Sequence, residues 1–278
     1  MVRTWLYYTL LRCEQLTGEK PWSEAWIMGY GLDEKGMKMS KSKGNAIDPL
    51  PVIQNLGADT FRFWSASEIN HGYDFRCNEQ KIESTKKFLS KLWNVSRFLS
   101  SFPIIKDAKP TEVDKWILSE LNNLVLECKK GYEQYNFFVP AIAIREFTWN
   151  LFAAHYIEMV KARAYGIEFS EDEKNAAIFT LHKTLSTILK LLAPITPFIT
   201  DHLWQTLYSE QSIHKEKQAE SESVEDLTKY TKEIIDFNSK IWNEKKSQNL
   251  SLKDSIAIQV PDSLDVFKKD LKSMHNLK

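Results

Sequence analysis

From residue 78 onward, apolar side chains recur every three to four positions in long runs, and this period constrains the fold more than any other feature. Ile82, Thr85, Leu89, Leu92, Ser96 and Leu99 share one helical face, and Pro103 ends that run. Thr111 with Asp114 reads as a capping box. It opens a helix whose apolar face is Val113, Trp116, Ile117, Leu121, Leu124, Cys128 and Tyr132. A third helix is predicted over 140–165, with Ile144, Phe147, Leu151, Phe152, His155 and Met159 inward. Ser170 and Glu173 cap a fourth, Pro194 and Pro197 break it, and FITDHLWQTLY forms a fifth. With nine Gly and nine Pro in 278 residues, connections should be short and the helices antiparallel neighbours in a bundle.

The first 77 residues read differently. Residues 3–17 have helical spacing and stop at Gly18 and Pro21; AWIMGYGL (25–32) reads as a short buried strand. A lysine-rich loop follows. Residues 47–67 then form two short helical pieces, the first capped by Asp48 with Pro49 at its first position, and Gly57 between them. Helix, strand and loop in this order are the end of an α/β sheet. A sheet needs more strands than one, so a longer domain is expected to continue upstream of Met1. Past the bundle, residues 214–232 are polar and mixed in charge, as in a linker. A helix over 224–246, a strand over 255–261 (SIAIQVP) and a last helix suggest a small α/β appendage.

Lysines and arginines number 37, as do acidic residues, so no global field draws nucleic acid and any such partner must be held by local basic patches. Three cysteines, 13, 77 and 128, stand far apart with no metal-ligand spacing, which fits a reducing compartment and no protein-bound metal. The N-terminal TWLYYTLL is flanked by Arg3 and Arg12 and lacks a cleavage site. No apolar run approaches the ~18 residues that cross a bilayer. The expectation is a cytoplasmic, soluble monomer.

KMSKSKGN (38–45) carries the chemistry. An ammonium on a flexible stem is a compact point charge suited to a phosphate that gains charge during reaction. Two of them on a short loop can meet a departing pyrophosphate and stabilise the transition state selectively. The serines can donate hydrogen bonds, and Gly44 allows close backbone approach. The chain has no GxxxxGK[ST] P-loop.

This octet, preceded by GLDEKGMK and followed by IDP and GADTFRFW, resembles the second signature of class I aminoacyl-tRNA synthetases of the valine, isoleucine and leucine subgroup. RTWLYYTLL (3–11), FRFWSAS (61–67), KLWNVSRF (91–98), FTWNLFAAHYIEMVKARAY (147–165) and LAPITPFITDHLWQTLYSEQSIH (192–214) are similar to the valyl-tRNA synthetase family in its archaeal-type form. The resemblance covers 1–214 well and 215–278 loosely. It implies a mainly α fold: the C-terminal edge of a Rossmann-type α/β catalytic domain (1–60), a connecting stem-contact region (61–105), an anticodon-binding bundle (106–214), and a linker and appendage (215–278).

The same resemblance implies that valine attacks ATP, accompanied by Mg2+, and that the valyl group passes to valine-type tRNA. Lys41, supported by Lys38, would contact pyrophosphate. Met39 would lie near the adenine side, with Ser40 and Ser42 holding the loop. A HIGH-type tetrapeptide is absent from the sequence, so the chain alone should not activate valine. Lys91, Trp93, Asn94 and Arg97 on one helix, and Arg145, Trp149, Lys161 and Arg163 on another, are candidate tRNA contacts. Trp93 and Trp149 also suit a core, and Lys161 and Arg163 suit a helix C-terminus irrespective of RNA. His155 and His182 read as core histidines. The isoleucine enzyme shares the octet, and a non-catalytic RNA-binding module that keeps the loop is the reading of another class.

Overall fold

The computed structural model describes residues 2–278. Its elements in order are α1 (Tyr7–Thr17), β1 (Gly31–Leu32), α2 (Pro49–Leu56), α3 (Ala58–Glu68), β2 (Phe75–Arg76), α4 (Glu79–Leu99), α5 (Glu112–Glu133), α6 (Phe138–Glu146), α7 (Ile157–Ala164), α8 (Glu171–Leu192), α9 (Pro197–Leu207), α10 (Thr231–Ser247) and α11 (Lys268–His275). The molecule is therefore mainly helical with one two-stranded parallel sheet, Gly31 opposite Phe75 and Leu32 opposite Arg76. No helix among the described residues is long and apolar enough to cross a membrane.

Helix boundaries follow from local hydrogen bonding. The Asp48 carboxylate accepts the Leu50 N–H at 3.0 Å, with Pro49 at the first helical position of α2. Asn78 caps α4 through the N–H groups of Gln80 and Lys81. The Thr111 N–H donates to Asp114 at 2.9 Å, and Ser170 and Glu173 form a reciprocal box at the start of α8. These bonds satisfy donors that have no partner within the helix. Asp59, near the start of α3, caps a different helix: its carboxylate accepts the Ile199 N–H at 2.6 Å and so joins the N-terminal region to α9.

The helix predicted over 140–165 is continuous but changes pitch. Between α6 and α7, residues Phe147–Tyr156 form wider i→i+5 turns. The aromatic spacing explains what the wider pitch achieves. Phe147 and Phe152 are five apart, which in a regular α-helix would turn them about 140° from one another. Here their rings lie 6.3 Å apart and nearly parallel, and Phe152 continues onto Tyr156 at 5.9 Å. All three are buried.

Most buried apolar residues form one cluster, and it includes the tail. Ile234, Phe237 and Ile241 of α10 and Leu264, Phe267 and Leu271 pack with residues of α4 to α8. The polar stretch that reads as a linker is a strap laid on the bundle: the Glu222 N–H donates to Asn122 and the Leu227 N–H to Ser119, with Leu227 itself buried. The predicted 255–261 strand is extended chain with a single parallel bridge, Ile256 to Leu277.

Arg163 ties the tail to the bundle. Its guanidinium donates two bonds to Asp114 of α5, at 2.6 and 2.9 Å, and its Nε lies 3.0 Å from Asp270 of α11. It is fully buried, which corrects its assignment as a tRNA contact. A guanidinium inside the core cannot reach phosphate.

The N-terminal region is built more sparsely. A second, small cluster holds Val52, Trp64, Cys77 and Ile82, with Met39, Ile47, Leu56, Phe61 and Phe75 against it. The predicted 25–32 strand pairs only over its last two residues. Gly29 lies so close to the Tyr73 carbonyl that a Cβ would sit 1.9 Å from its oxygen. Helix α1 buries no side chain, and Trp5, Tyr7, Tyr8 and Leu16 are exposed.

Candidate functional site

The lysine loop is held by two side chains that the sequence reading left out. After β1 the chain turns back, and Leu32 bridges antiparallel to Lys38. Inside this turn the Asp33 carboxylate accepts the N–H groups of Lys35 and Met37 and the Asn45 side-chain N–H at 2.8 Å. Asn45 reaches across the loop: its Oδ1 accepts the Ser40 N–H at 2.9 Å, and its Nδ2 also approaches the Lys38 carbonyl. The Asn45 hydrogen bond, then the Met37 N–H, hold the Asp33 carboxyl below the usual carboxylate range.

Between these fixed ends, Lys41–Lys43 make one tight turn closed by Gly44 at φ +67°. Lys41, Ser42 and Lys43 are exposed, and Ser40 Oγ lies 3.3 Å from Ser42 Oγ. Lys38 places its ammonium 3.7 Å above the Tyr30 ring centre. Met39 packs against the small cluster beneath the loop. It anchors the loop, because an apolar side chain there has a protein surface to cover. The arrangement is a stapled base carrying a short, solvated cationic tip.

Half of the candidate RNA contacts converge. Lys91, Asn94 and Trp149 line a cleft of about 620 Å3 between α4 and the wide-turn segment, together with Lys86 and Lys87. Arg145 and Trp149 line an adjoining space of about 280 Å3 that shares Lys87. The Lys91 ammonium is 6.0 Å from the Trp149 ring centre. All three lysines of α8 are ion-paired. Lys86, Lys87 and Lys91, by contrast, are in no ion pair among the described residues. Lys87, Lys91 and Asn94 follow one another at helical spacing on the polar face of α4, a pattern that could have been found in the sequence.

The remaining candidates lie elsewhere. Trp93 is exposed and stacks on His202 of α9, rings 5.6 Å apart and 9° from parallel. Neither Trp93 nor Trp149 is a core residue. Arg97 is exposed, and Lys161 is exposed and paired with Glu158 at 3.1 Å. His155 and His182 are buried and bonded to protein: His182 to the Tyr208 hydroxyl and the Phe102 carbonyl, His155 to Asn238. Among the described residues no cluster of three or more His, Cys, Asp or Glu could hold a metal ion.

A stapled KMSKS loop on the edge of an α/β unit, followed by a helical bundle with a cationic and aromatic cleft, defines a part of a class I tRNA synthetase. Residues 1–77 match the family model described as tRNA synthetases class I (I, L, M and V). Residues 114–260, more than half of the chain, match that of the anticodon-binding domain of tRNA ligase, and the chain belongs to this family.

Among curated proteins it is similar to the valine--tRNA ligase of Pyrobaculum aerophilum, 42% identical over 100% of the chain, and to that of Aeropyrum pernix, 39% identical over 99%. The chain spans 35% of the length of each of these relatives. Among solved structures, the LeuRS of Agrobacterium radiobacter in a ternary complex with tRNA and LeuAMS shares the fold. Its TM-score is 0.58 at 22% identity, covering 77% of this chain and 27% of that one.

Proposed function

We propose that this chain supplies the pyrophosphate-handling loop and the tRNA-binding bundle of a valine--tRNA ligase. The observation that carries the reading is the Asp33–Asn45 staple, which fixes both ends of the loop while its lysine tip stays solvated. When the valine carboxylate attacks the α-phosphorus of ATP, negative charge grows on the departing pyrophosphate. Lys41, supported by Lys38, meets that charge more strongly in the transition state than in the ground state. Ser40 and Ser42 hold the loop and can donate hydrogen bonds to phosphate oxygens. Mg2+ enters with ATP as its counter-ion. The chain carries no HIGH-type tetrapeptide, and on this reading it does not activate valine by itself.

The bundle holds tRNA on the cleft of Lys87, Lys91, Asn94, Arg145 and Trp149. Unpaired lysines there serve phosphates, and the exposed indole offers a stacking face. Arg97, Lys161 and Trp93 lie outside this cleft and add peripheral contacts. In the complete ligase, Lys41→Ala should slow pyrophosphate exchange by roughly 10²–10³, as loss of one transition-state donor does, while valine binding is retained. Unchanged exchange would remove Lys41 from this role.

A further inference from the structure

A second cavity, of about 660 Å3, lies where the N-terminal unit meets the bundle, and it shares no residue with the α4 cleft. Trp26 enters it from the segment before β1, Arg62 from α3, His71 from the loop before β2, Tyr135 from the turn after α5, and Phe198 from α9. Three of the aromatic rings in the lining keep much of their surface open: Trp26 is 41% exposed, Tyr135 62% and Phe198 66%. Trp26 and Tyr135 meet edge to face at 5.9 Å. Arg62 is the one formal charge in the lining, fixed by bonds to the carbonyls of Ile195 at 2.8 Å and Pro194 at 3.0 Å.

Tyr135 occupies this position against local preference. It follows the end of α5 with φ +52°, and the Asn136 N–H returns to the Gly131 carbonyl, closing the turn at the site where glycine is favoured. An aromatic residue in this left-handed conformation is strained. Its exposed ring covers no core, so the strain is not offset by burial. What the ring does is wall the cavity beside Trp26, which it meets edge to face.

We propose that this cage takes one unpaired nucleobase of the bound tRNA, stacked on the open Tyr135 ring with Trp26 beside it and its phosphate toward Arg62; the proposal rests on the tRNA reading above. Open flat rings accept a base face, and a lining with one cation and no carboxylate complements a phosphodiester. A cationic ligand is disfavoured by Arg62.

The test uses Tyr135→Gly, which deletes the ring and places glycine where the backbone favours it. Its unfolding midpoint should equal or exceed the parent's, so lost binding cannot be blamed on lost folding. Binding of a valine-type tRNA transcript at fixed salt should weaken roughly five-fold to hundred-fold, the range of a lost base–aromatic stack. The dependence on salt should stay unchanged, and Tyr135→Phe should bind like the parent. In protein labelled with 5-fluorotryptophan, the Trp26 resonance, assigned through Trp26→Phe, should shift on tRNA addition. As control, Lys87→Ala with Lys91→Ala should reduce the salt slope. If Tyr135→Gly binds as the parent does while that control responds, the cage proposal falls and the tRNA reading stands. If the parent itself binds no tRNA, both fall.

Discussion

The buried Asp114 accepts hydrogen bonds from the Tyr156 hydroxyl, the Thr111 N–H and both arms of Arg163. Such a buried pair is worth little against an apolar replacement of both partners, but removing one partner leaves an uncompensated charge. Arg163→Leu should therefore cost about 3–5 kcal/mol in urea unfolding. Lys161→Ala, two residues away on an exposed pair, should change stability little. A leucine variant as stable as the parent would show that the pair does not hold the fold. This residue also marks a limit of reading the sequence. A cation in the last turn of a helix usually faces water, and only the packing of α5, 49 residues earlier, turns this one inward. Asn45 is a parallel case. The octet ends in it visibly, but its function depends on the chain folding back so that it meets Asp33 and Ser40 together.

Helices α10 and α11 are joined to the wide-turn segment by a buried relay. Asn238 of α10 donates to His155 Nδ1 at 3.1 Å and accepts from His275 Nε2 at 2.8 Å. The buried Lys245 ammonium donates to the carbonyls of Leu252 and His275. Burial pushes His155 below its ordinary range, and burial, with the neighbouring Lys245 ammonium and then the His155 ring, pushes His275 down to about 4. Both are neutral in the fold at pH 7. A group whose folded pKa is depressed contributes stability that is present above its unfolded value and is lost as pH falls through the folded one. The urea midpoint should therefore drop between about pH 6.5 and 4, with His275 contributing up to about 3 kcal/mol. His275→Gln should flatten the decline. Parallel declines in parent and variant would show that His275 does not carry it. The starts of α2, α5 and α8 were readable because capping residues and proline act locally, whereas α10, expected from 224, begins at Thr231 with no side-chain cap. The wide pitch over 147–156 was not readable, and with it went the placement of Trp149 on the surface.

At the scale of the molecule, the proposed reading gives a neutral chain phosphate-directed charge in the lysine loop, the cleft of α4 and Arg62 of the second cavity. The helical bundle was legible from periodicity, since each apolar stripe had to meet another. The attachment of the tail was not, because the strap over 216–227 is polar by composition and is held by backbone bonds to Asn122 and Ser119 that no period signals. With an anticodon-binding domain matched over 114–260, the proposed function requires this bundle to read a valine-type anticodon. Its most direct test is the affinity of the chain for valine-type and isoleucine-type tRNA transcripts at one salt concentration, repeated with their anticodons exchanged. Valine anticodons end in AC and isoleucine ones usually in AU. The account predicts that affinity follows the AC ending into the isoleucine body. Affinity that follows AU, or that ignores the exchange, would contradict it.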